Sequence, residues 1–514
     1  MNIESLNQTI WDAVIVGTGL RESILAAALT RAGKRVLHLD RNPYYGSEYT
    51  ALSLDELETW ARLHQADFHL PDLQDPPMLA KPRSYTLSLS PGLLYTTSPL
   101  LSLLVASGIH ESLEFLRVGG WFIYRPDTGA DETLTPVPNS REDVFNDQSL
   151  DPRAKRLVVR ALKSILGLEG GSVADWTQKS LQEYLEQSSL HLPSRIISAF
   201  ASLTLRHDRP GEIPFEEAER DIRNHFGSIG RFGPGFAAVI GRYGSGSELV
   251  QVFCRAAAVT GNAVYVLESD IMNIENNIPY PSWAVEKQFK HEDSIGIHLQ
   301  LRSGDSIWAR HLIATADNLP GGIPIVESLP KPLVEDRYWL SVCIVSNPLQ
   351  NLLRTSEPPL AAGAVVYIPA NALKEDSYLN THPIYIFVHG SETGECPDGQ
   401  SILYVSMKGD NKRFLDTAVN SLLNKVRDNN GSTGQILLSM KFENTVESRP
   451  LKEANRDSSL HILGKHTPLI EIPDAVLDQV IDIYGDIVGS RDTFMEKVEV
   501  EEGEPRDNKD TIFE

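Results

Sequence analysis

The chain has 514 residues, 41% of them hydrophobic, which is enough for about two or three folded domains rather than a disordered polymer. Its 69 acidic and 47 basic side chains give a formal net charge of −22, which excludes the broad basic surface that a nucleic-acid-binding protein needs. Three distant cysteines without metal-ligand spacing, and no predicted signal or membrane-spanning segment, indicate a cytoplasmic protein with reduced thiols and no bound metal.

The first forty residues predict a strand, a helix and a second strand. An apolar run leads to Gly17, a helix rich in small residues ends at Gly33, and a second apolar run ends at Asp40. Two strands joined by a helix form a βαβ unit, the building block of a parallel sheet. The expected fold class is therefore α/β, with a Rossmann-type unit at the start of the sequence.

A nucleotide-binding fingerprint begins in this unit but is not completed. Gly17 and Gly19 hold the first two glycine positions of a GxGxxG motif, whereas Glu22 stands at the third. Glutamate adds bulk and negative charge where a helix N-terminus would otherwise receive a pyrophosphate. We predict a relic of the motif that binds no cofactor, and a flavin in a distorted site is the alternative. Asp40 stands where such motifs place an acid for a ribose hydroxyl.

A loop with two adjacent tyrosines follows the second strand. Arg41 begins a polar lead into Tyr44 and Tyr45, and Gly46 closes a tight turn. Exposed tyrosines with polar neighbours are common anchors of protein interfaces. Half-buried loop aromatics without a partner are the alternative reading of this composition.

The periodicity becomes helical between residues 136 and 227. A run from Asp151 repeats apolar residues at helical spacing, further helices are predicted at 174–187, 193–205 and 214–226, and Ser140 with Asp143 resembles a capping box. We predict an all-helical domain over 136–227, inserted into a discontinuous α/β domain formed by 1–135 and 228–495. His207 beside Asp208 is expected to be a solvated loop pair.

The last part of the chain is predicted to be mainly strands. Short apolar runs alternate with loops from residue 260 onward, which indicates mixed sheets, and one amphipathic helix is predicted at 473–488. Residues 496–514 are acidic and poor in apolar side chains, so we expect a mobile tail.

Two stretches carry a resemblance to a known family. Residues 17–46, GTGLRESILAAALTRAGKRVLHLDRNPYYG, resemble the opening of the Rab escort protein and Rab GDP-dissociation inhibitor superfamily. Residues 243–267, YGSGSELVQVFCRAAAVTGNAVYVL, are similar to a second stretch of that family. The resemblance implies a flavoprotein-like fold with a degenerate fingerprint and no cofactor, in which Glu22 is a family feature.

The resemblance also implies a binding platform for Rab GTPases, built from the tyrosine loop and the second stretch. Its residues in this sequence are Tyr45, Glu248, Arg255, Val266, Arg41 and Tyr44. Val266 falls near a position that the family usually fills with methionine. Without the resemblance, Glu248 and Arg255 would be interpreted as a solvated pair on one helix.

The escort branch of the family is favoured by two motifs. SREDVFN, beginning at Ser140, and the triplet from Phe253 to Arg255 resemble escort sequences. The resemblance then implies a non-catalytic protein that binds newly made, GDP-bound Rab and presents its C-terminus to Rab geranylgeranyl transferase. It further implies that the protein carries the lipidated product to membranes, where it is peripheral and transient.

In this family the geranylgeranyl lipid binds in the helical domain. The candidate lining or transferase-facing residues are Ile197, Phe200, Leu203 and Phe253, with Ala199 small enough to let helices part. Ordinary core packing is the alternative for such a stripe. Two other functions also remain open: a Rab GDP-dissociation inhibitor, and a flavin-dependent oxidoreductase that would be purified as a yellow protein.

Overall fold

The computed structural model describes residues 6–71, 79–126, 134–138, 151–167, 178–187, 192, 194–283, 295–321, 334–354, 361–409, 411–427, 431, 433–448, 459–464 and 470–496. The helices in these residues are α1 Leu20–Arg31, α2 Leu54–Leu63, α3 Pro99–Ala106, α4 Pro152–Ile165, α5 Leu181–Gln187, α6 Ser194–Ser202, α7 Phe215–Ser228, α8 Gly246–Val259, α9 Gln350–Leu353, α10 Arg413–Lys425 and α11 Ala475–Val488. The predicted capping box at 140–143 and, apart from residue 496, the predicted tail at 496–514 lie outside the described residues.

The strands of the first half of the chain are β1 Ile10–Val16, β2 Val36–Leu39, β3 Ala51–Leu52, β4 Asp67–His69, β5 Leu87–Ser88, β6 Leu94–Tyr95, β7 Phe115–Tyr124, β8 Leu134–Pro136, β9 Ala238–Gly241 and β10 Ala263–Val266. Those of the second half are β11 Ile271–Pro279, β12 Ile295–Leu301, β13 Ser306–Thr315, β14 Val334–Val345, β15 Gly363–Ile368, β16 Lys374–Glu375, β17 Tyr378–Leu379, β18 Ile384–Gly390, β19 Ser401–Lys408, β20 Ile436–Ser448 and β21 Leu460–Leu463.

The first large sheet is built around the N-terminal βαβ unit. Its strand order is β10-β2-β1-β13-β12-β11, and β21 pairs with the C-terminal end of β13. Strands β10, β2, β1, β13 and β21 are parallel to their neighbours, whereas β12 and β11 are antiparallel. The parallel strands β1 and β2 are buried along almost their whole length, because helices cover one face of the sheet and side chains from both faces enter the core.

The second large sheet is mainly antiparallel. Its order is β4-β20-β14-β19-β18-β15-β7-β9-β6, with β8 paired to β7 and only β15 and β7 parallel among the described pairs of this sheet. A mainly parallel first sheet and a mainly antiparallel second sheet together give the α/β fold with mixed sheets that the sequence predicts.

Helices α4 to α7 follow one another along the chain, where the sequence predicts an inserted helical domain. Asp151 caps α4, since its side chain accepts the backbone N–H groups of Arg153 and Ala154. The apolar faces of these helices share one continuous core with the second sheet, and Phe200, Phe215 and Trp121 are among its members. The boundaries 136 and 227 stay a prediction, but the helical segment packs on the sheet and shares its core.

The expectation of a solvated His207–Asp208 pair is wrong. His207 is buried against Tyr385 and Tyr338, and its Nε2 lies 2.7 Å from the hydroxyl of Ser406 on β19. Burial, helped by the charge of Lys408, lowers the pKa of His207 to about 3, so the imidazole is neutral. Asp208 pairs instead with Lys408.

Among the described residues, no helix has the length and apolar character needed to cross a membrane. In the same residues no group of three or more histidine, cysteine or acidic side chains has a metal-binding arrangement. Cys254, Cys343 and Cys396 are buried free thiols.

Candidate functional site

Asp40 ties the fingerprint loop to the tyrosine loop. Its Oδ2 accepts the backbone N–H of Thr18 at 2.8 Å and the Thr18 hydroxyl at 2.6 Å, while its Oδ1 accepts the N–H of Asn42 at 2.8 Å. The Thr18 hydroxyl in turn accepts the N–H of Gly46 at 3.0 Å. Asp40 is 2% exposed. The prediction that it could bind a ribose hydroxyl is therefore wrong, because its oxygens are committed to holding the two loops together.

The fingerprint glycines are covered by the chain's own side chains. A Cβ placed on Gly19 would lie 2.6 Å from Oε2 of Glu22 and 3.4 Å from Oε1 of Glu48. A Cβ on Gly17 would lie 2.6 Å from Nδ2 of Asn318. Glu22 is in the first turn of α1, so its carboxylate supplies the negative charge that a helix N-terminus attracts. The glutamate takes the role that a bound phosphate would otherwise have.

These residues do not fit the pyrophosphate of a dinucleotide. Glu22 and Glu48 both line a cleft of about 720 Å³ that runs between the two large sheets. Burial raises the pKa of each carboxyl, and the neighbouring carboxyl Asp40 raises both further. The pyrophosphate of flavin adenine dinucleotide is therefore opposed by the space that Glu22 and Glu48 occupy at Gly19.

We expect the single substitution Glu22→Gly to leave the chain without flavin. Glu48 remains beside Gly19, and Asp40 remains bonded to Thr18, so the geometry still opposes the cofactor. The test is the visible absorbance of the variant after incubation with flavin adenine dinucleotide and gel filtration, with Glu22→Gln as the matched control. A stably yellow Glu22→Gly variant would show that the one side chain was the main obstacle.

Glu48 makes the stability of this region depend on pH. Burial and then the Glu22 carboxyl raise the pKa of Glu48 to about 8, against an ordinary value of 4.5; Asp40 adds to this and Arg21 opposes it. Between pH 4.5 and 8 the folded chain therefore keeps a proton on Glu48 that the unfolded chain has already released. The stability that this protonated carboxyl contributes is fully present below pH 4.5 and is lost as the pH rises to 8.

We expect Glu48→Gln to flatten this profile. The variant should melt about 2 °C or more above the parent at pH 8.5, and the difference should shrink towards pH 5.5. Thermal melts at the two pH values measure it, and Glu58→Gln, an exposed carboxylate on neighbouring α2, is the control. A melting difference that is the same at both pH values would contradict a protonated Glu48 in the folded chain.

Tyr45 stands at the surface over β10. Its side chain is 38% exposed, and its ring meets that of Tyr265 edge-on with centroids 5.8 Å apart. The Tyr265 ring stacks at a tilt on buried His38, and its hydroxyl donates to the Cys254 carbonyl at 3.2 Å. Tyr45 is therefore an exposed aromatic on a fixed support, which keeps the entropy cost of using it in an interface small.

Helix α8 brings Glu248 and Arg255 to the same region. Its start packs on the tyrosine loop: a Cβ on Gly246 would lie 2.3 Å from the Tyr49 ring, so glycine is required for this approach. Glu248 is half-buried and Arg255 is exposed about two turns later. Burial raises the pKa of Glu248, which shows a carboxyl already partly removed from water. Tyr45, Glu248 and Arg255, with Tyr265 beneath Tyr45, are called the platform below.

The other predicted platform residues are placed differently. Val266 is half-buried at the end of β10, where its carbonyl accepts the N–H of Asp40. Tyr44 packs against the core cluster under the second sheet. Arg41 reaches the opposite way, towards the loop after β13, and donates to the Asp317 carbonyl at 2.5 Å and to Oδ1 of Asn318 at 2.6 Å.

A second candidate site is a narrow apolar cleft between α4, α6, α7 and β7. Phe200, Leu203 and Ala199 line it with Val158 and Phe226. Its volume of about 40 Å³ has room for about one water molecule. The cleft is narrow, so helices must move apart before it can hold a long apolar chain.

Two predicted groove residues are not in this cleft. Phe253 is fully buried in the core beneath α8, so its assignment to a transferase-facing surface or lipid groove is wrong. Its spacing from Leu249 and Ala257, both fully buried, carried the signal of a core-facing stripe. Ile197 is buried in the core shared by the helices and the second sheet, and it is not among the residues lining the cleft.

The sequence interpretation missed three residues of the site. Thr18 bonds Asp40 and Gly46, His38 supports Tyr265, and Glu48 covers Gly19. The Nε2 of His38 lies 2.5 Å from the Gly17 carbonyl, and burial lowers the pKa of His38 to about 4, so the ring is neutral. Only the folded chain places these residues near one another.

Comparisons with known proteins point to one family. The profile of the GDI family, described as GDP dissociation inhibitor, matches residues 6–280. The "Rab proteins geranylgeranyltransferase component A" of Saccharomyces cerevisiae is 28% identical over 77% of this chain and 61% of its own length. "Rab escort protein 1" of Arabidopsis thaliana is 24% identical over 98% of this chain and 97% of its own.

The coverage of the yeast relatives is partial. The chain spans 61% of the Saccharomyces cerevisiae relative and 59% of a Candida albicans relative of the same name. A "Probable secretory pathway GDP dissociation inhibitor 1" of Schizosaccharomyces pombe is 24% identical over 77% of this chain and 80% of its own length. Both branches of the family are therefore represented among the relatives.

Solved structures are similar in fold. A Rab GDI from Plasmodium falciparum has a TM-score of 0.65 at 19% identity, covering 93% of this chain and 98% of that one. An oxidoreductase from Methanosarcina mazei has a TM-score of 0.55 at 14% identity, covering 92% and 99%. The α/β architecture is thus shared with both a GDI and an oxidoreductase, and the family profile, which spans residues 6–280 of 514, distinguishes them. The chain belongs to the GDP dissociation inhibitor family.

Proposed function

We propose that the chain is a Rab escort protein. It binds newly made Rab GTPases in their GDP form and presents their C-terminal cysteines to Rab geranylgeranyl transferase. It then keeps the lipidated product in solution until delivery to a membrane. The chain performs no catalysis itself, since the transferase supplies the chemistry. Its place in the cell is the cytoplasm, with transient contact at membranes.

The observation that carries the proposal lies at the edge of the first sheet that holds the fingerprint glycines: the glycines are covered there, and an exposed tyrosine stands beside them. Glu22 and Glu48 cover the fingerprint glycines, and Asp40 with Thr18 holds the adjacent tyrosine loop in place. The same edge displays Tyr45 over Tyr265 beside the exposed Arg255 of α8. A rigid exposed tyrosine and an arginine are the residue types that anchor protein interfaces. The relatives named for Rab prenylation and Rab escort support a Rab GTPase as the partner.

The free-energy cost of exposing the lipid to water explains why a prenylated Rab needs an escort. Each methylene of an apolar chain gains about 0.8 kcal/mol on leaving water, so a geranylgeranyl chain of about twenty carbons costs on the order of 10 kcal/mol when exposed. The cleft lined by Phe200, Leu203 and Ala199 is apolar and lies between helices. We assign the lipid to this cleft and propose that it opens when the lipid enters.

Ternary complex formation tests the escort role. The full chain, GDP-loaded unprenylated Rab and the transferase heterodimer are mixed and separated by gel filtration. An escort protein joins all components in one complex and holds the transferase only weakly without Rab. The matched control is Rab loaded with a non-hydrolysable GTP analogue, for which we expect weaker assembly.

A Rab GDP-dissociation inhibitor is the second candidate, favoured by the Schizosaccharomyces pombe relative of that name. It would bind prenylated Rab and extract it from membranes without recruiting the transferase. Binding of prenylated Rab with no transferase in the gel-filtered complex would select this function over the escort role.

A further inference from the structure

The cleft between the two large sheets is large enough for a small molecule. Its volume of about 720 Å³ lies within the range of about 300 to 1,000 Å³ that small-molecule sites usually have. The start of α1 and the tyrosine loop line one part of it with Glu22 and Glu48. Residues of α2, β14 and β20 line another part. We call it the inter-sheet cleft.

The carboxyl groups of Glu22 and Glu48 are turned into the inter-sheet cleft without a partner side chain. Glu22 is 5% exposed and Glu48 is half-buried. In the described part of the chain, each carboxyl accepts a hydrogen bond only from its own backbone N–H. The adjacent Arg21 donates instead to the carbonyl of Gly464 and to the side chain of Gln479. Two buried acids therefore have acceptor sites left for a ligand.

The basic side chains elsewhere in the lining have acceptors of their own. The Nζ of Lys412 lies 2.5 Å from Asp67, and Lys441 pairs with Asp416. Arg41 donates to the loop after β13. An anion that entered the cleft would have to compete with these contacts. A cation would meet two carboxyls that have no such contact, so the charges of the lining favour a cationic ligand.

Aromatic rings form a further part of the lining. The rings of Trp60 and Phe442 meet edge-on with centroids 5.2 Å apart. The Nζ of Lys412 lies 5.1 Å from the centre of the Trp339 ring. Aromatic faces attract cations and also bury apolar groups. Carboxyls and aromatic rings in one cleft suit an organic ammonium ion, whose charged end and apolar part need different surroundings.

A divalent metal ion fits these residues less well. Among the described residues, no three histidine, cysteine or acidic side chains form a metal-binding group. Asp40 uses its oxygens to accept hydrogen bonds from Thr18 and Asn42. Two carboxyls alone would leave most of the coordination sphere of Mg²⁺ or Ca²⁺ to water.

We propose that the inter-sheet cleft binds an arylalkylammonium ion, with the ammonium group between Glu22 and Glu48 and the ring against Trp60 and Phe442. The ammonium donates a charge-assisted hydrogen bond to each carboxylate. Binding at this site requires no Rab GTPase, so its test is independent of the escort role.

Binding strengthens as the pH rises towards 8.5. Burial, and then the Glu22 carboxyl, raises the pKa of Glu48 to about 8, so the free chain keeps a proton there at pH 6.5. The ammonium ion binds the ionised carboxylate and must displace this proton. Arg21, Asp40 and Tyr49 also act on Glu48 electrostatically. The other titratable groups of the lining, besides the basic side chains already named, are His64, Asp67, Asp317 and Glu443.

Titration calorimetry of the full chain with 2-phenylethylammonium chloride tests the proposal. We expect a Kd of about 0.1 to 1 mM at pH 8.5 and binding at least ten-fold weaker at pH 6.5. At pH 7, buffers with different ionisation enthalpies should show the release of about one proton per ligand bound. The matched control ligand is 3-phenylpropionate, which has a carboxylate in place of the ammonium and should not bind. Magnesium chloride should give no saturable heat.

Variants locate the ligand. At pH 8.5, Glu22→Gln and Glu48→Gln should each weaken 2-phenylethylammonium at least ten-fold, and Trp60→Leu at least three-fold. Glu58→Gln, an exposed position of α2 outside the cleft, is the matched control and should have no effect. Melting temperatures confirm that the variants are folded, and Phe442→Leu replaces Trp60→Leu if that variant is not.

Four results would overturn the proposal. They are no saturable binding up to 10 mM at pH 8.5, equally strong binding of 3-phenylpropionate, equal affinity of the cleft variants and Glu58→Gln, and binding that neither changes with pH nor releases a proton.

Discussion

Replacing Tyr45 and Arg255 together by alanine is expected to weaken binding of GDP-loaded Rab by about 2 kcal/mol or more, which is about thirty-fold in Kd. Both side chains are exposed, and Tyr45 is held by Tyr265 and by the loop that Asp40 anchors. Truncation therefore removes interface contacts without opening a cavity in the core. Titration calorimetry with unprenylated Rab measures the change.

The matched control for the platform is the double variant Tyr378→Ala with Arg302→Ala. These are an exposed tyrosine and an exposed arginine elsewhere on the surface. We expect their Kd for Rab to stay within two-fold of the unmodified chain. Unchanged Rab affinity in a folded Tyr45→Ala, Arg255→Ala variant would remove these two residues from the interface, although the family membership would stand.

Filling the helical cleft should uncouple lipid binding from Rab binding. Ala199 is half-buried and lines the cleft. The substitution Ala199→Phe therefore places an aromatic ring in the space that a lipid would have to enter between the helices. We expect the variant to hold unprenylated Rab normally and geranylgeranylated Rab at least ten-fold more weakly than the unmodified chain does. The contribution of the lipid, about 0.8 kcal/mol per buried methylene, is then partly lost.

Ala199→Ser is the matched control for this prediction, since it changes polarity slightly and size very little. The affinity for lipidated Rab is measured by the fluorescence of a dansyl-labelled lipid and that for unlipidated Rab by titration calorimetry, and melting curves check folding. Equal affinity of the phenylalanine and serine variants for lipidated Rab would place the lipid elsewhere on the chain.

Local pattern predicted most of the first sheet. The apolar run that leads to Gly17 became β1, which ends at Val16, directly before that glycine. Burial on both faces, turn glycines and strand length were all readable from neighbouring residues. The helical periodicity from Asp151 likewise matches α4.

The sequence located the incomplete fingerprint motif but not all the side chains that cover its glycines. Glu22 was recognised as an obstacle from its place in the motif, whereas Glu48 lies beyond the motif and reaches Gly19 only through the fold of the tyrosine loop. Asp40 occupies the position that the motif predicts and has a different role, because Thr18 competes for its oxygens. The spacing of residues in a motif does not predict which other side chains form hydrogen bonds with them.

Long-range packing explains the remaining differences between the sequence predictions and the structure. Tyr265 supports Tyr45 from 220 positions away along the chain, and His207 is buried against β19, far from it in sequence. Phe253 lies in a motif that resembles the escort branch, yet helical periodicity turns it into the core. Contacts of this kind depend on which elements meet in the fold, so one sequence without its relatives does not contain them.

The most direct test of the escort role is the transfer of labelled geranylgeranyl to full-length, unprenylated Rab by purified Rab geranylgeranyl transferase, with and without this chain. We predict that transfer depends strongly on the chain and falls with the Tyr45→Ala, Arg255→Ala variant. Transfer at the same rate in its absence, while the chain still binds Rab, would contradict the escort role and point to a GDP-dissociation inhibitor.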